Sequence, residues 1–141
     1  MAYTERFTEV HELLANLVVT SSGAEQNTGY VEVGRFHRGF IQIIPVTLGG
    51  ALNVDVEEAT DTTGAGAQTF DSGGKDTTIP QTDTNPTIIE WRNEELTVDS
   101  AYDALNVEVT PGGASTFVVQ VWGTVPRKAP VATTNLEAVV D

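Results

Sequence analysis

Two short phrases, ALNVDVE at residues 51–57 and ALNVEVT at residues 104–110, decide the fold class. In the first, Leu52, Val54 and Val56 alternate with Asn53, Asp55 and Glu57; in the second, Leu105, Val107 and Val109 alternate with Asn106, Glu108 and Thr110. A period of two sends successive side chains to opposite faces, so each phrase reads as an antiparallel strand with one face on a core and one in water. Their likeness to each other follows from strand patterning and carries little weight for duplication.

Outward from these phrases, LVVTSS, GYVEV, RFHRGFIQIIPV, TIIEWR and STFVVQVWGT are rich in Val, Ile, Thr and aromatics and are punctuated by Gly, Asn and Pro. About seven short strands with turns between them make an all-β fold, an antiparallel, jelly-roll-like β-sandwich. FIQIIPV is apolar on both parities except for Gln42, which predicts a central strand covered on both sides, with Pro45 near its end. The interval 61–87 carries only Phe70 and Ile79 as large apolar residues. It is long for a structureless loop, so a small hairpin is expected, AQTF and DTTI joined through DSGGK, or else a projecting functional tip.

At the start, Phe7, Val10 and Leu14 recur at helical spacing, which predicts a short amphipathic helix from about Thr4 to Ala15, with an extended arm as the alternative. At the end, VPRKAPVATTNLEAVVD has Pro126 and Pro130 and no sustained alternation, so it reads as an extended arm. The expected organisation is an N-terminal helix or arm over 1–16, a β-sandwich domain over 17–125 and a C-terminal arm over 126–141.

The chain has 141 residues, enough for one domain with a core of its own. Twenty acidic against seven basic residues give a formal charge of −13, which repels a phosphate backbone and argues against nucleic acid as a partner. Without cysteine, disulfides and thiolate metal sites are excluded. MAYTERFTEVHELL has no apolar signal-like region and no later segment approaches ~18 uninterrupted apolar residues. A soluble, unexported polypeptide with no membrane anchor is expected.

Catalytic templates fail on spacing or residue type. GGKD resembles the end of a phosphate-binding loop, but Thr69 stands where the first Gly belongs and Asp76 follows Lys75 in place of Ser or Thr. GAGA at 64–67 opens a Gly/Thr/Asp-rich loop and not the helix that a dinucleotide fingerprint needs. His11 and His37 are the only histidines and no GxSxG elbow is present, which leaves neither a serine triad nor a zinc ligand set. Asp71 with Asp76, or Asp83 with Asn85, reads as acidic turns more readily than as a calcium loop, because Pro86 falls where an EF-hand needs Gly. Carboxylate pairs such as Glu57/Glu58 and Glu94/Glu95 arise by chance in so acidic a chain, and strand neighbours point to opposite faces. No enzyme, metal or cofactor is expected.

The remaining candidates are contact residues. GRFHRGF at 34–40 holds Arg35, His37 and Arg38 within four residues. If the phrase is extended, Arg35 and His37 share one face while Arg38 shares the other with Phe36 and Phe40, unless Gly39 marks a bulge. Each Arg then answers an acidic strand neighbour, or one of them meets a carboxylate across a subunit boundary. Trp91 shares parity with Ile89 and reads as core. Trp122 lies on the face of Gln120, opposite Phe117, Val119 and Val121, and is the better contact candidate. Arg92, Arg127 and Lys128 complete the candidate interface.

The order of RFHRGF, EATDTTGAGA, WRNEEL and VPRKAP, over about residues 17 to 130, resembles a group of small structural proteins from tailed-bacteriophage heads, regarded as decoration or cement proteins. The resemblance implies a β-sandwich, made in the host cytoplasm, that binds the outer surface of a capsid and helps the shell resist bursting. It further implies the major capsid protein as partner, a homotrimer at local three-fold positions, and terminal arms that reach neighbouring subunits. A different reading is a carbohydrate- or host-surface-binding virion appendage that uses the 61–87 loop and Trp122.

Overall fold

A computed structural model describes residues 11–97 and 101–124. The strands are β1 (Glu12–Ser21), β2 (Gln26–Asn27), β3 (Val31–Glu32), β4 (Arg38–Thr47), β5 (Leu52–Ala59), β6 (Gln68–Thr69), β7 (Thr77–Ile79), β8 (Thr87–Arg92), β9 (Ala104–Pro111) and β10 (Ser115–Gly123). All pair antiparallel.

The two opening phrases are neighbours: β5 and β9 pair with Val54 beside Val109 and Val56 beside Val107. They form the middle of one sheet. β2 and β3 run in succession along the outer side of β9, and β6 and β7 run in succession along the outer side of β5. The facing sheet has the order β1–β10–β4–β8. With each interrupted edge counted as one strand, the two sheets are of equal width and the chain crosses between them at every step except from β5 to the β6/β7 edge, the order of a jelly roll.

Between the sheets the apolar stripes meet. Leu52, Val54, Val56, Leu105, Val107 and Val109 from one face Val19, Ile41, Ile43, Phe117, Val119 and Val121 from the other, all buried. Full burial of such side chains stabilises by ~1.5–3 kcal/mol each before the ordering entropy is counted. Phe36, Phe70, Trp91 and Leu96 join the same core. The Trp91 indole N–H has no acceptor among the described residues, a cost of ~1–3 kcal/mol that burial of the ring offsets.

Four expectations change. Residues 12–15 are strand, so the helix proposed over 4–15 does not hold across its last turn, and the sandwich begins at Glu12 and not at 17. Leu14 and Ala15 pack against the core from an edge strand, so of the three apolar residues at helical spacing Leu14 is strand, while Phe7 and Val10 lie outside the described residues. Residues 1–10, and the proposed C-terminal arm over 126–141, lie outside the described residues. Second, β6 and β7 do not pair with each other as a hairpin: both pair with β5, Thr69 with Glu57 and Thr77 with Val54. The excursion between them buries Phe70, and Asp76 Oδ1 accepts the Val56 N–H at 2.9 Å, filling the gap in the ladder with a side chain.

Third, Arg35, Phe36 and His37 are not extended with β4. The Phe36 N–H donates to the Val33 carbonyl at 3.0 Å, closing a turn that sends Phe36 into the core and leaves Arg38 on the outer face with Phe40. Fourth, β4 is central in its sheet but covered on one side only. Its Phe40, Gln42 and Ile44 are half-buried while Ile41 and Ile43 are fully buried.

Gly39 marks close packing within a regular strand, paired with Trp91 on one side and Gly123 on the other. A Cβ there would collide with the Trp91 ring and the Trp122 carbonyl oxygen. Gly39→Ala is therefore expected to lower stability by ~1–3 kcal/mol or more through overpacking, read as a fall in the urea midpoint with an unchanged slope.

Candidate interaction surface

The outer face of the β1–β10–β4–β8 sheet follows from the register. Val18, Val118 and Ile44 form one row across three strands, and Asn16, Gln120, Gln42 and Ile88 form the next across four. Beyond them Trp122 lies beside Phe40, which lies beside Glu90. On the other side stand Thr20, Thr116 and Thr47. From the threonines to the Asn16–Ile88 row there is no charged residue, in a chain with twenty carboxylates.

Apolar area is exposed there. Val18 is 69% exposed, Val46 64% and Ile88 51%, and among the described residues these are the large hydrophobics most open to solvent. All three belong to this sheet. The polar atoms between them are tied to one another: Trp122 Nε1 donates to Gln120 Oε1 at 3.2 Å, and Gln120 Nε2 donates to Asn16 Oδ1 at 3.2 Å. The Thr20 and Thr116 hydroxyls share a bond at 3.3 Å. Phe40 and Trp122 stack with centroids 6.0 Å apart and planes 17° from parallel. From the threonines to the Asn16–Ile88 row the face is thus uncharged and internally held, which suits contact with another neutral surface.

The opposite face of the sandwich is acidic. The register that pairs the valines of β5 and β9 also sets Asp55 directly against Glu108. Burial, then the charges of Glu57, Glu25 and Asp55, hold the Glu108 carboxyl above its ordinary range. Glu57 accepts a 2.5 Å hydrogen bond from the Tyr30 hydroxyl, and burial together with that bond pushes the Tyr30 phenol upward. Next to Glu57 in sequence, Glu58 points the other way and is 1% exposed. It accepts from Gln68 Nε2 at 2.6 Å, from the Thr97 N–H at 3.0 Å and from Thr97 Oγ1 at 2.5 Å, so this buried carboxylate is fully engaged in tying β6 and residue 97 to β5.

The basic candidates separate. Arg35 turns away to Glu12, with Nη2 to Oε1 at 3.2 Å and Nη1 to Oε2 at 3.5 Å, and its guanidinium lies 5.3 Å from the Phe36 ring centroid. This pair pins the start of β1 to the turn before β4. His37, Arg38 and Arg92 come together at one end of the β1–β10–β4–β8 sheet, where with Asn93 and Glu94 they line an open concavity of about 410 Å³. Arg38 and Arg92 are directly paired in register, and Arg92 Nη1 reaches Glu94 Oε1 at 3.6 Å. Trp122 lies on the neutral face, and Arg127 and Lys128 fall outside the described residues. The loop from 60 to 67 is held in place: Asp61 Oδ1 accepts from the Thr63 N–H at 2.8 Å, from its hydroxyl at 2.6 Å and from the Ala65 N–H at 3.2 Å, and the Tyr102 hydroxyl donates to the Gly66 carbonyl at 2.7 Å.

Sequence reasoning missed the neutral face as a unit. The available signal was FIQIIPV, apolar on both parities, which admits a half-open strand as readily as one covered twice.

No family model matches the chain, and no curated protein matches it. Among solved structures, one similar to it is a Clostridium thermocellum endo-1,4-beta-D-xylanase 10B structure of CBM22-1 and GH10 modules complexed with xylohexaose. The two are 8% identical, with a TM-score of 0.40, over 85% of this chain and 25% of that one. The chain thus spans about a quarter of that structure's length.

The acidic face sets a pH dependence. Because the folded state holds the Glu108 proton more tightly than the unfolded chain does, this residue contributes stability at low pH that is lost as pH rises through its raised folded value. Glu108→Gln should be more stable than the parent at pH 7 by ~0.2–1 kcal/mol, the cost of opposed like charges on neighbouring strands. The gap should close as pH falls below the ordinary carboxylate range, which urea melts of both proteins across that window measure.

Proposed function

We propose that the chain is a structural protein of a virion, a decoration protein that lies on the outer surface of a phage shell and stabilises it. The proposal rests on one observation above all: a neutral, partly apolar sheet face stands back to back with an acidic one. A neutral face can dock without desolvating charge, while acidic groups pointing outward keep decorated particles dispersed. The resemblance of the sequence to small phage-head proteins supports the same reading. The docking contact assigned to the neutral face is non-covalent and needs no catalytic group or cofactor, and the partner is the major capsid protein. Several copies on one shell would raise modest single contacts by ~10² to 10⁴ in avidity.

A second reading draws on the stacked Trp122 and Phe40 beside the Gln120 and Asn16 amides, groups that suit a sugar ring and its hydroxyls. In that case the same face would serve a carbohydrate on a host surface.

Shells carrying the protein should survive higher temperature or stronger osmotic shock than bare shells; equal survival removes the stabilising role. Ile88→Lys places an ammonium in the docking face at a site exposed enough to leave the fold intact, and should weaken shell binding by ~10-fold or more, measured by co-sedimentation. Glycan binding by the isolated protein, abolished in Trp122→Ala, would instead favour the carbohydrate reading.

A further inference from the structure

Open strand edges present unpaired N–H and C=O groups, and folded chains blunt them with interruptions, short strands, Lys or Pro. Three of the four edges here are managed in that way. β2 and β3 are two residues each, β6 and β7 are two and three, and β8, of ordinary length at six, carries the charged side chains Glu90 and Arg92 to the same effect. The fourth edge, β1, runs for ten residues and pairs with β10 alone among the described residues. A bulge between Leu13 and Ala15 disturbs only its beginning. From Leu13 to Ser21 it reads LLANLVVTS, with no charge and no Pro.

We propose that this edge pairs antiparallel with β1 of a second copy about a two-fold axis, joining two four-stranded sheets into one continuous sheet. Charge selects the occupant. Two copies at −13 each repel, and pairing through Leu13 to Ser21 of β1 sets no carboxylate of one against a carboxylate of the other. Asp55, Glu57 and Glu108 lie on the other layer, on β5 and β9. Glu12, at the strand's start, is already paired with Arg35, and antiparallel pairing sends it to the far end of the second β1 and away from its own copy.

The strand is also self-complementary. With the axis at Leu17, the exposed Val18 stands opposite Asn16 of the second copy, and both point to the outer face. An axis perpendicular to the sheet keeps both neutral faces on one side, doubling the docking area. This two-fold pair takes the place of the three-fold arrangement implied by the phage-head resemblance, and it stands whether or not the shell is the docking partner.

Sedimentation equilibrium of the full chain at low and high salt tests the pairing. The expected mass is that of two copies, with tighter association at high salt because the repulsion between acidic copies is screened. Val18→Lys, at a 69% exposed position, sets two ammonium groups into the seam and should give a single-copy mass with an unchanged circular dichroism spectrum. Ile88→Lys, on the same face but on the opposite edge strand, should remain a dimer. Exchange of the β1 amides in the parent protein should slow at least ~10-fold between dilute and concentrated samples, a readout independent of any variant. A monomer at both salts, a three-copy mass, or a Val18→Lys dimer equal to the parent overturns the proposal. So does loss of the dimer in Ile88→Lys as well, which would mean packing through the face.

Discussion

The pleat of a strand ties the packing of the core to the charge of the surface. In β5 and β9 the register that sets Val54 beside Val109 and Val56 beside Val107 also sets Asp55 against Glu108. A slip of one residue would relieve the carboxylates but would turn every valine into water. Burial of several valines, at ~1.5–3 kcal/mol each, outweighs an opposed pair at ~0.2–1 kcal/mol, so the core wins and the outer face carries the strain. Tyr30 and Asn106 moderate it, the first by donating to Glu57 and the second by donating to Glu108 at 3.3 Å.

The same alternation works with different residues in the facing sheet. There the inner stripe is equally apolar, but the outer positions from the threonines to the Asn16–Ile88 row are Val, Ile, Thr, Asn and Gln, and charge returns only at Glu90, Arg38 and Arg92 toward one end. One architecture therefore yields two unlike surfaces. Small residues are required where bulk crosses the layers: Gly39 leaves room for Trp91, and Gly123 leaves room for Phe36. Those two contacts bring the β4–β10 end of the sandwich together, close to where Arg35 holds Glu12.

Edge management follows a related logic. On both edges of the β5–β9 sheet a side chain replaces the missing backbone partner: Thr28 Oγ1 accepts the Val107 N–H at 3.1 Å, and Asp76 Oδ1 accepts the Val56 N–H. Each interruption therefore leaves the ladder satisfied while denying a foreign strand a continuous template. β1 has no such interruption beyond its first residues, which is why its uncharged edge stands out from the others.

Much of this was legible in the sequence wherever a local rule suffices. Period-two alternation determined that residues 52–57 and 105–110 are strands and which of their side chains face inward, and parity alone put Trp91 in the core and Trp122 outside it. Charge counting determined that the surface is acidic. Local rules failed where the outcome depends on which strand arrives alongside. The helical spacing of Phe7, Val10 and Leu14 gave way over 12–15 to pairing with β10, and the expected hairpin of AQTF with DTTI, residues 67–79, gave way to pairing with β5. The partner of Arg35, the burial of Glu58 and the gathering of the neutral residues of four strands into one face were decided by tertiary structure alone. Each depends on contacts between residues far apart in the chain, and strand periodicity specifies a side chain's face without specifying its neighbour.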